Sequence, residues 1–183
     1  SIIKKSVEEL RALFEKKEVT FNVQAREGIT QESHMFCDAL QMNIVLGNNI
    51  LKNALDYTPR GGKVMVTLFP STLVVERDLE ETGVKAIAIK VEDSGIGFSP
   101  NEFEDIFLPF HQGSNTHMSG SSDGCGLGLA LCKEIVQAHK GKIWAENGKE
   151  GGAVIFIKMP CEELGLDAAA FELGVSHELC HEM

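Results

Sequence analysis

No apolar run in this chain reaches the roughly 18 residues that a membrane-spanning helix needs, and no charged-then-apolar leader opens it. Direct membrane contact is therefore not expected of this segment. Basic residues are in short supply: 17 lysines and arginines face 27 aspartates and glutamates, for a formal net charge of -10. A body this acidic repels phosphate backbones and anionic lipid, which argues against nucleic acid as a partner. An anionic nucleotide is admissible only where helix-start amides or a bound cation overcome that background. Cysteine is sparse and odd in number. The five, Cys37, Cys125, Cys132, Cys161 and Cys180, form no C-x-x-C. That speaks against a disulfide framework and for a reducing, cytoplasmic setting, with membrane anchoring of a longer parent left open. There is no internal repeat.

What remains is a chain of 183 residues, 43% of them apolar, which suits one compact domain. Ser6 to Glu9 reads as a capping box, so a helix is expected from Val7 to about Lys17. Val19, Phe21, Val23 and Ala25 alternate as a strand. Asp38 caps a longer helix with Leu40, Ile44, Leu51 and Leu55 near one stripe, closed by Pro59. Val64, Val66 and Leu68 alternate again. Leu73 to Val75 reads as a short strand, Glu76 to Gly83 as a charged turn, and Val84 to Val91 as a third clear strand. Ser99-Pro100 opens a helix that ends near Phe107. A loop rich in Ser, Gly and Asn covers 111–124, and a helix from Leu127 to His139 is stopped by Gly141. Lys142 to Glu146 and Ala153 to Met159 complete the strands. In the remaining tail, 161–183, Leu164, Ala168 and Phe171 can share one short helical face, and His177, Cys180 and His181 are too few for a metal site. This order predicts an α/β two-layer sandwich: a mixed, mostly antiparallel sheet with helices on one face, over 1–160.

Four clusters carry chemistry. Asn49 and Asn53 are four apart on one helix face, where an ordinary solvated polar face competes with a Mg²⁺ site built on hard amide oxygens. Asp93-Ser-Gly95-Ile96-Gly97 follows a strand; its glycines admit close backbone approach, and its carboxylate can accept a hydrogen bond from an exocyclic amine such as adenine's. Gly124-Cys-Gly126-Leu127-Gly128-Leu129 opens a helix, offering unpaired N–H groups and a positive dipole end to phosphates. No strand precedes these glycines, which sets aside a dinucleotide-binding fingerprint. Phe103, Phe107 and Phe110, with Ile106 and Pro109, read either as core or as the anchor of a closing lid.

In order and spacing these clusters resemble the N, G1, F and G2 boxes of the histidine-kinase catalytic domain, a branch of the GHKL superfamily with the Bergerat-type ATP-binding fold. Ile135 to His139 and Gly141 to Trp144 agree as flanking text. The resemblance implies an enzyme of two-component signal transduction. Such a domain moves the γ-phosphate of Mg-ATP to a histidine on a separate dimerisation domain, with a response regulator downstream. It implies that Asn49 ligates Mg²⁺ as the catalytic residue, that Asn53 supports the triphosphate, and that Asp93 binds the adenine amino group. Tyr57 then packs beside the base, Gly95 and Gly97 line the adenine pocket, and Asp56 and Ile96 belong to the nucleotide-binding set. Phe107 and Phe110 flank the site, and Gly124, Gly126, Leu127, Gly128 and Leu129 offer backbone to phosphates. Residues 111–123 become the ATP lid.

Two departures stand out. Asp56 occupies a position where the family often has Lys or Arg, and the lid carries only His111 and His117 where basic residues are usual. Lys52 or Lys133 could compensate, the alternative for each being an ordinary solvated helix residue. None of the six histidines has the family's phosphoacceptor setting. One alternative is a GHKL ATPase, but its water-activating Glu is Asn49 here, and an amide cannot take the proton. The other is a nucleotide- or partner-binding module without chemistry.

Overall fold

The computed structural model describes residues 2–30, 33–77, 80–113 and 125–161. Helix α1 runs over Ile2–Lys17, one turn earlier than the capping box suggested. Ser6 lies inside it, buried, and its hydroxyl donates to Asn43 Oδ1 at 2.6 Å instead of capping. Leu10 and Phe14 fall on the same face and enter the core. The helix ends in a Schellman motif: Glu18 takes φ 57, and Val19 N–H reaches back to Phe14 O at 3.0 Å.

Five strands form one sheet: β1 (Thr20–Ala25), β2 (Lys63–Arg77), β3 (Glu80–Asp93), β4 (Lys142–Asn147) and β5 (Ala153–Pro160), in the order β1-β2-β3-β5-β4. Only the β1–β2 pair is parallel. Val64, Val66, Leu68, Ile87, Ile89, Val91, Ile155 and Ile157 turn to one side and pack with residues of the helices. The sandwich, the mixed sheet and its helix-covered face match the sequence expectation.

The charged turn expected at Glu76 to Gly83 is instead a paired ribbon. Glu76 faces Glu81 and Arg77 faces Glu80, so β2 and β3 form one long hairpin. β5 reaches only Ala86 on β3, and β1 reaches only Leu68 on β2. Among the described residues the ribbon beyond pairs with no further strand, and its charged composition imitates a turn.

The Asp38 helix also differs. It is α2 (Ala39–Asn43), a π-helical segment (Ile44–Leu51), then α3 (Lys52–Tyr57). Asp38 Oδ1 does cap it, accepting from Leu40 N and Gln41 N. The wider π turn shifts the apolar stripe: Leu40 is 71% exposed, while Met42, Val45, Leu46, Ile50 and Leu51 are buried. The helix expected after Ser99 is two short 3-10 turns, Pro100–Glu102 and Asp105–Phe107, and the Ser99 side chain caps neither. Helix α4 spans Gly128–Ala138. Its stop is Lys140 at φ 61; Gly141 follows because a Cβ there would lie 2.6 Å from Lys158 O. Among the described residues no helix is long and apolar enough to cross a membrane. The helical face expected in the tail, the His177–His181 cluster, His117 and Gly124 lie outside the described residues. Cys161 is buried, and its N–H donates to Lys85 O at 3.0 Å.

Candidate nucleotide site

Asp93 ends β3 and is 8% exposed. Its Oδ1 accepts from Gly95 N at 2.8 Å and Ala153 N at 3.1 Å. No described residue bonds Oδ2, so one oxygen is fixed and the other is available. Burial raises the carboxyl above its ordinary range; the two backbone donors oppose that, and neighbouring Glu92 adds to it. The turn carrying Ala153 is built for this contact. Gly152 has φ 81, and a Cβ there would lie 1.8 Å from Asp93 O.

Gly95 packs beneath the end of α3: its Cβ position is 2.5 Å from Tyr57 O. Tyr57 is half-buried, which raises its hydroxyl, with Asp56 adding to the effect. Gly97, at φ 68, abuts Asn147 Oδ1. Asn147 then clamps the next residue: Oδ1 accepts from Phe98 N at 2.8 Å, and Nδ2 donates to Phe98 O at 2.7 Å. Ile96 between the glycines is exposed.

Asn49 lies in the π-helical segment, and its Nδ2 donates to Ile44 O at 2.8 Å, five residues back. That leaves its amide oxygen unspent. A Cβ on Gly128 would lie 2.6 Å from this Oδ1, so the asparagine helix and the first residue of α4 meet at a glycine. Asn53 is half-buried on the next turn, and no described residue hydrogen-bonds its carboxamide.

Phe107 is buried, with Lys133 Nζ 6.0 Å from its ring centroid. Phe103 makes an edge contact with Phe98 at 6.5 Å. Phe110 differs from both: it is 75% exposed at φ 65. What it anchors is backbone, because its N–H donates to Gly126 O at 2.9 Å. Gly126, at φ 69, lies so close to His111 O that a Cβ would stand 2.6 Å away. The two roots of the 111–125 segment are thus stitched together. Leu127 is exposed and Leu129 half-buried.

The structure therefore joins the clusters pairwise: Tyr57 with Gly95, Asn49 with Gly128, and Phe110 with Gly126. The family model for histidine kinase-, DNA gyrase B- and HSP90-like ATPases matches residues 38–163. The chain belongs to this family. It is 34% identical over 148 residues to the sensor protein kinase WalK of Staphylococcus saprophyticus, covering 81% of this chain and 22% of that one. The chain thus spans about a fifth of that relative's length. Among solved structures it resembles a mycobacterial sensor histidine kinase, MprB, with TM-score 0.67, 24% identity, and 89% and 94% of the two chains covered. It also resembles the histidine kinase ThkA in complex with the response regulator TrrA, with TM-score 0.65, 22% identity, and 87% and 39% covered.

Within this family frame some residues differ from expectation. Asp56 is paired with Lys52 at 3.4 Å, so the lysine that could offset the missing basic residue is engaged by that acid. Lys133 is held over Phe107. Asn147 and Gly152 were not legible as site residues. The glycine pair 151–152 signals a turn, but that the turn lands on Asp93 follows only from strand order.

Proposed function

We propose that this chain is the ATP-binding catalytic domain of a sensor histidine kinase, acting on a histidine of a separate dimerisation domain. The observation that carries this reading is the half-used Asp93 carboxylate. Its unpartnered Oδ2, beside glycines that admit a flat ligand, accepts the amino group of adenine and finds no donor on O6 of guanine. Gly126 to Leu129 open α4 with backbone N–H groups for phosphates.

The donor set suits Mg²⁺. It offers hard amide oxygens, with Asn53 free among the described residues and Asn49 turned so that its oxygen is unspent. Asn49 and Asn53 would hold the ion, which supplies charge neutralisation at the phosphates when bound. The chain's own part is then positioning: Asp93 fixes the base, and α4 fixes the phosphates. The Phe110 N–H to Gly126 O bond joins the two points between which the residues read as the lid run. An amide at Asn49 does not deprotonate water, so the phosphate is retained for an incoming imidazole. Residues 1–160 go with this reading as the nucleotide-binding domain and 161–183 as its C-terminal tail. A cytoplasmic location and a downstream response regulator go with this reading, the latter by analogy with the ThkA–TrrA complex.

The test is incubation of the chain with γ-labelled ATP and Mg²⁺, with and without an added dimerisation domain carrying its histidine. Acid-labile label on the added domain, absent with Asp93→Asn, is expected. Rapid phosphate release without the added domain would point to an ATPase instead.

A further inference from the structure

We propose that the acidic segment 162–183 docks on the open face of the sheet, around Trp144. Helices cover one side of the sheet; on the other, β4 and β5 present Trp144 and Phe156 stacked at 4.8 Å between ring centroids and 7° between planes. Beside them Lys142 and Lys158 are direct cross-strand partners. Like charges directly opposite each other destabilise a strand pair. Here both ammonium groups lie near one indole, 5.9 and 5.7 Å from its ring. Lys158 also donates to Thr72 O at 3.2 Å, which leaves its charge uncompensated. The acid closest along the strand, Glu146, is engaged by Trp144 Nε1 at 2.8 Å. Among the described residues neither lysine makes an ion pair. A cationic, aromatic surface of this kind calls for an anionic and partly apolar occupant.

The segment 162–183 has that chemistry. It holds six of the chain's 27 acidic residues and none of its 17 lysines and arginines. Apolar residues, including Leu164, Leu166 and Phe171, are interspersed among the acids. It leaves the body at the right place: β5 ends at Pro160, two residues past Lys158, and Cys161 is bonded to Lys85 O. The segment therefore departs from Cys161, which is bonded to Lys85 and lies three residues past Lys158. Reach is not limiting, since 22 residues extend about 70 Å while five strands span roughly 20–25 Å. Covering the like-charged pair with carboxylates removes its repulsion and shields the indole.

Trp144 is the only tryptophan and reports directly. The experiment is acrylamide quenching of its fluorescence in the full chain at low and high salt. Wild type should be protected at low ionic strength, with quenching rising about twofold near 0.5 M salt as screening shortens the range of the attraction. The variant Glu162→Gln/Glu163→Gln/Asp167→Asn/Glu172→Gln should be quenched at the high-salt level throughout. Adding a synthetic peptide of residues 162–183 to that variant should restore protection at low salt. Equal quenching of wild type and variant at low salt would overturn the proposal. Protection that grows with chain concentration would also overturn it, by giving the face to a second copy.

Discussion

The amide of Ala153 donates to the carboxylate of Asp93 across 3.1 Å, although the two residues are sixty apart in sequence. This bond ties the β4–β5 turn to the end of β3. It also uses one carboxylate oxygen, while the other bonds to no described residue. Gly152 makes the approach possible, since any Cβ there would occupy the space of Asp93 O. Gly152→Ala should therefore cost roughly 2–4 kcal/mol, combining an overpacked contact with a non-glycine residue at positive φ. Urea unfolding checks the stability, and a loss of ATP affinity beyond the unfolded fraction checks the link to the site.

Asp93 should also mark the pH dependence of stability. Its carboxyl titrates above the ordinary value of 3.8 in the folded chain, chiefly through burial. A raised folded value means the proton is held more tightly when folded, so ionising Asp93 costs stability. The cost is absent below the unfolded value and grows as pH rises through the folded one. Asp93→Asn keeps an oxygen for Gly95 N and Ala153 N without that cost. The variant should match or exceed wild type in stability at pH 7, with the advantage vanishing as pH falls below about 4. Thermal unfolding of both chains across this range decides it; an advantage that grows on acidification would contradict the assigned cause.

How much of this was legible beforehand depended on whether a signal was local. Asp93, Gly95 and Gly97 stand out as a glycine turn carrying an acceptor because the carboxylate and the strand end lie within five residues. Asn147 and Gly152 act on the same turn from β4 and the β4–β5 connection, and nothing in their own neighbourhood says so. Periodicity located β1, β4, β5 and α4 within about a residue or two. It failed where the period itself changes: the π segment at Ile44–Leu51 moves Leu40 off the core face. It failed again at Glu76 to Gly83, where a paired ribbon has the charged composition of a turn. The aromatic cluster was separable only in three dimensions, with Phe107 in the core and Phe110 outside it.

The carboxamides of Asn49 and Asn53 should divide the Mg²⁺ dependence of ATP binding. Asn49 has its nitrogen committed to Ile44 O, whereas Asn53 is free among the described residues. Either residue replaced by alanine should lower the Mg²⁺-dependent gain in affinity by about tenfold, a loss expected when one contact to a charged group is removed. Titrations with and without the ion measure it. A full Mg²⁺ effect in both alanine variants would place the ion elsewhere.

The thiols should report occupancy of the phosphate loop. Cys132 is buried on α4, and burial pushes its thiol up to about 12, so it should stay unmodified in the native chain. Cys125 is exposed immediately before Gly126. Iodoacetamide should modify Cys125 while sparing Cys132, and Mg-ATP should slow the Cys125 reaction. Mass spectrometry of the digested chain identifies the site. Modification at an unchanged rate with saturating ATP would separate the loop from the phosphates.

The central claim is that Asp93 reads adenine, and calorimetric titration of the full chain with ATP and with GTP tests it most directly. The account predicts that wild type binds ATP and rejects GTP, and that Asp93→Asn, folded by circular dichroism, loses most of its preference for ATP. A carboxamide Oδ1 fixed by the two backbone amides leaves Nδ2, a donor, facing the ligand's own donor. A folded Asp93→Asn chain that kept both the ATP affinity and the discrimination against GTP would contradict it.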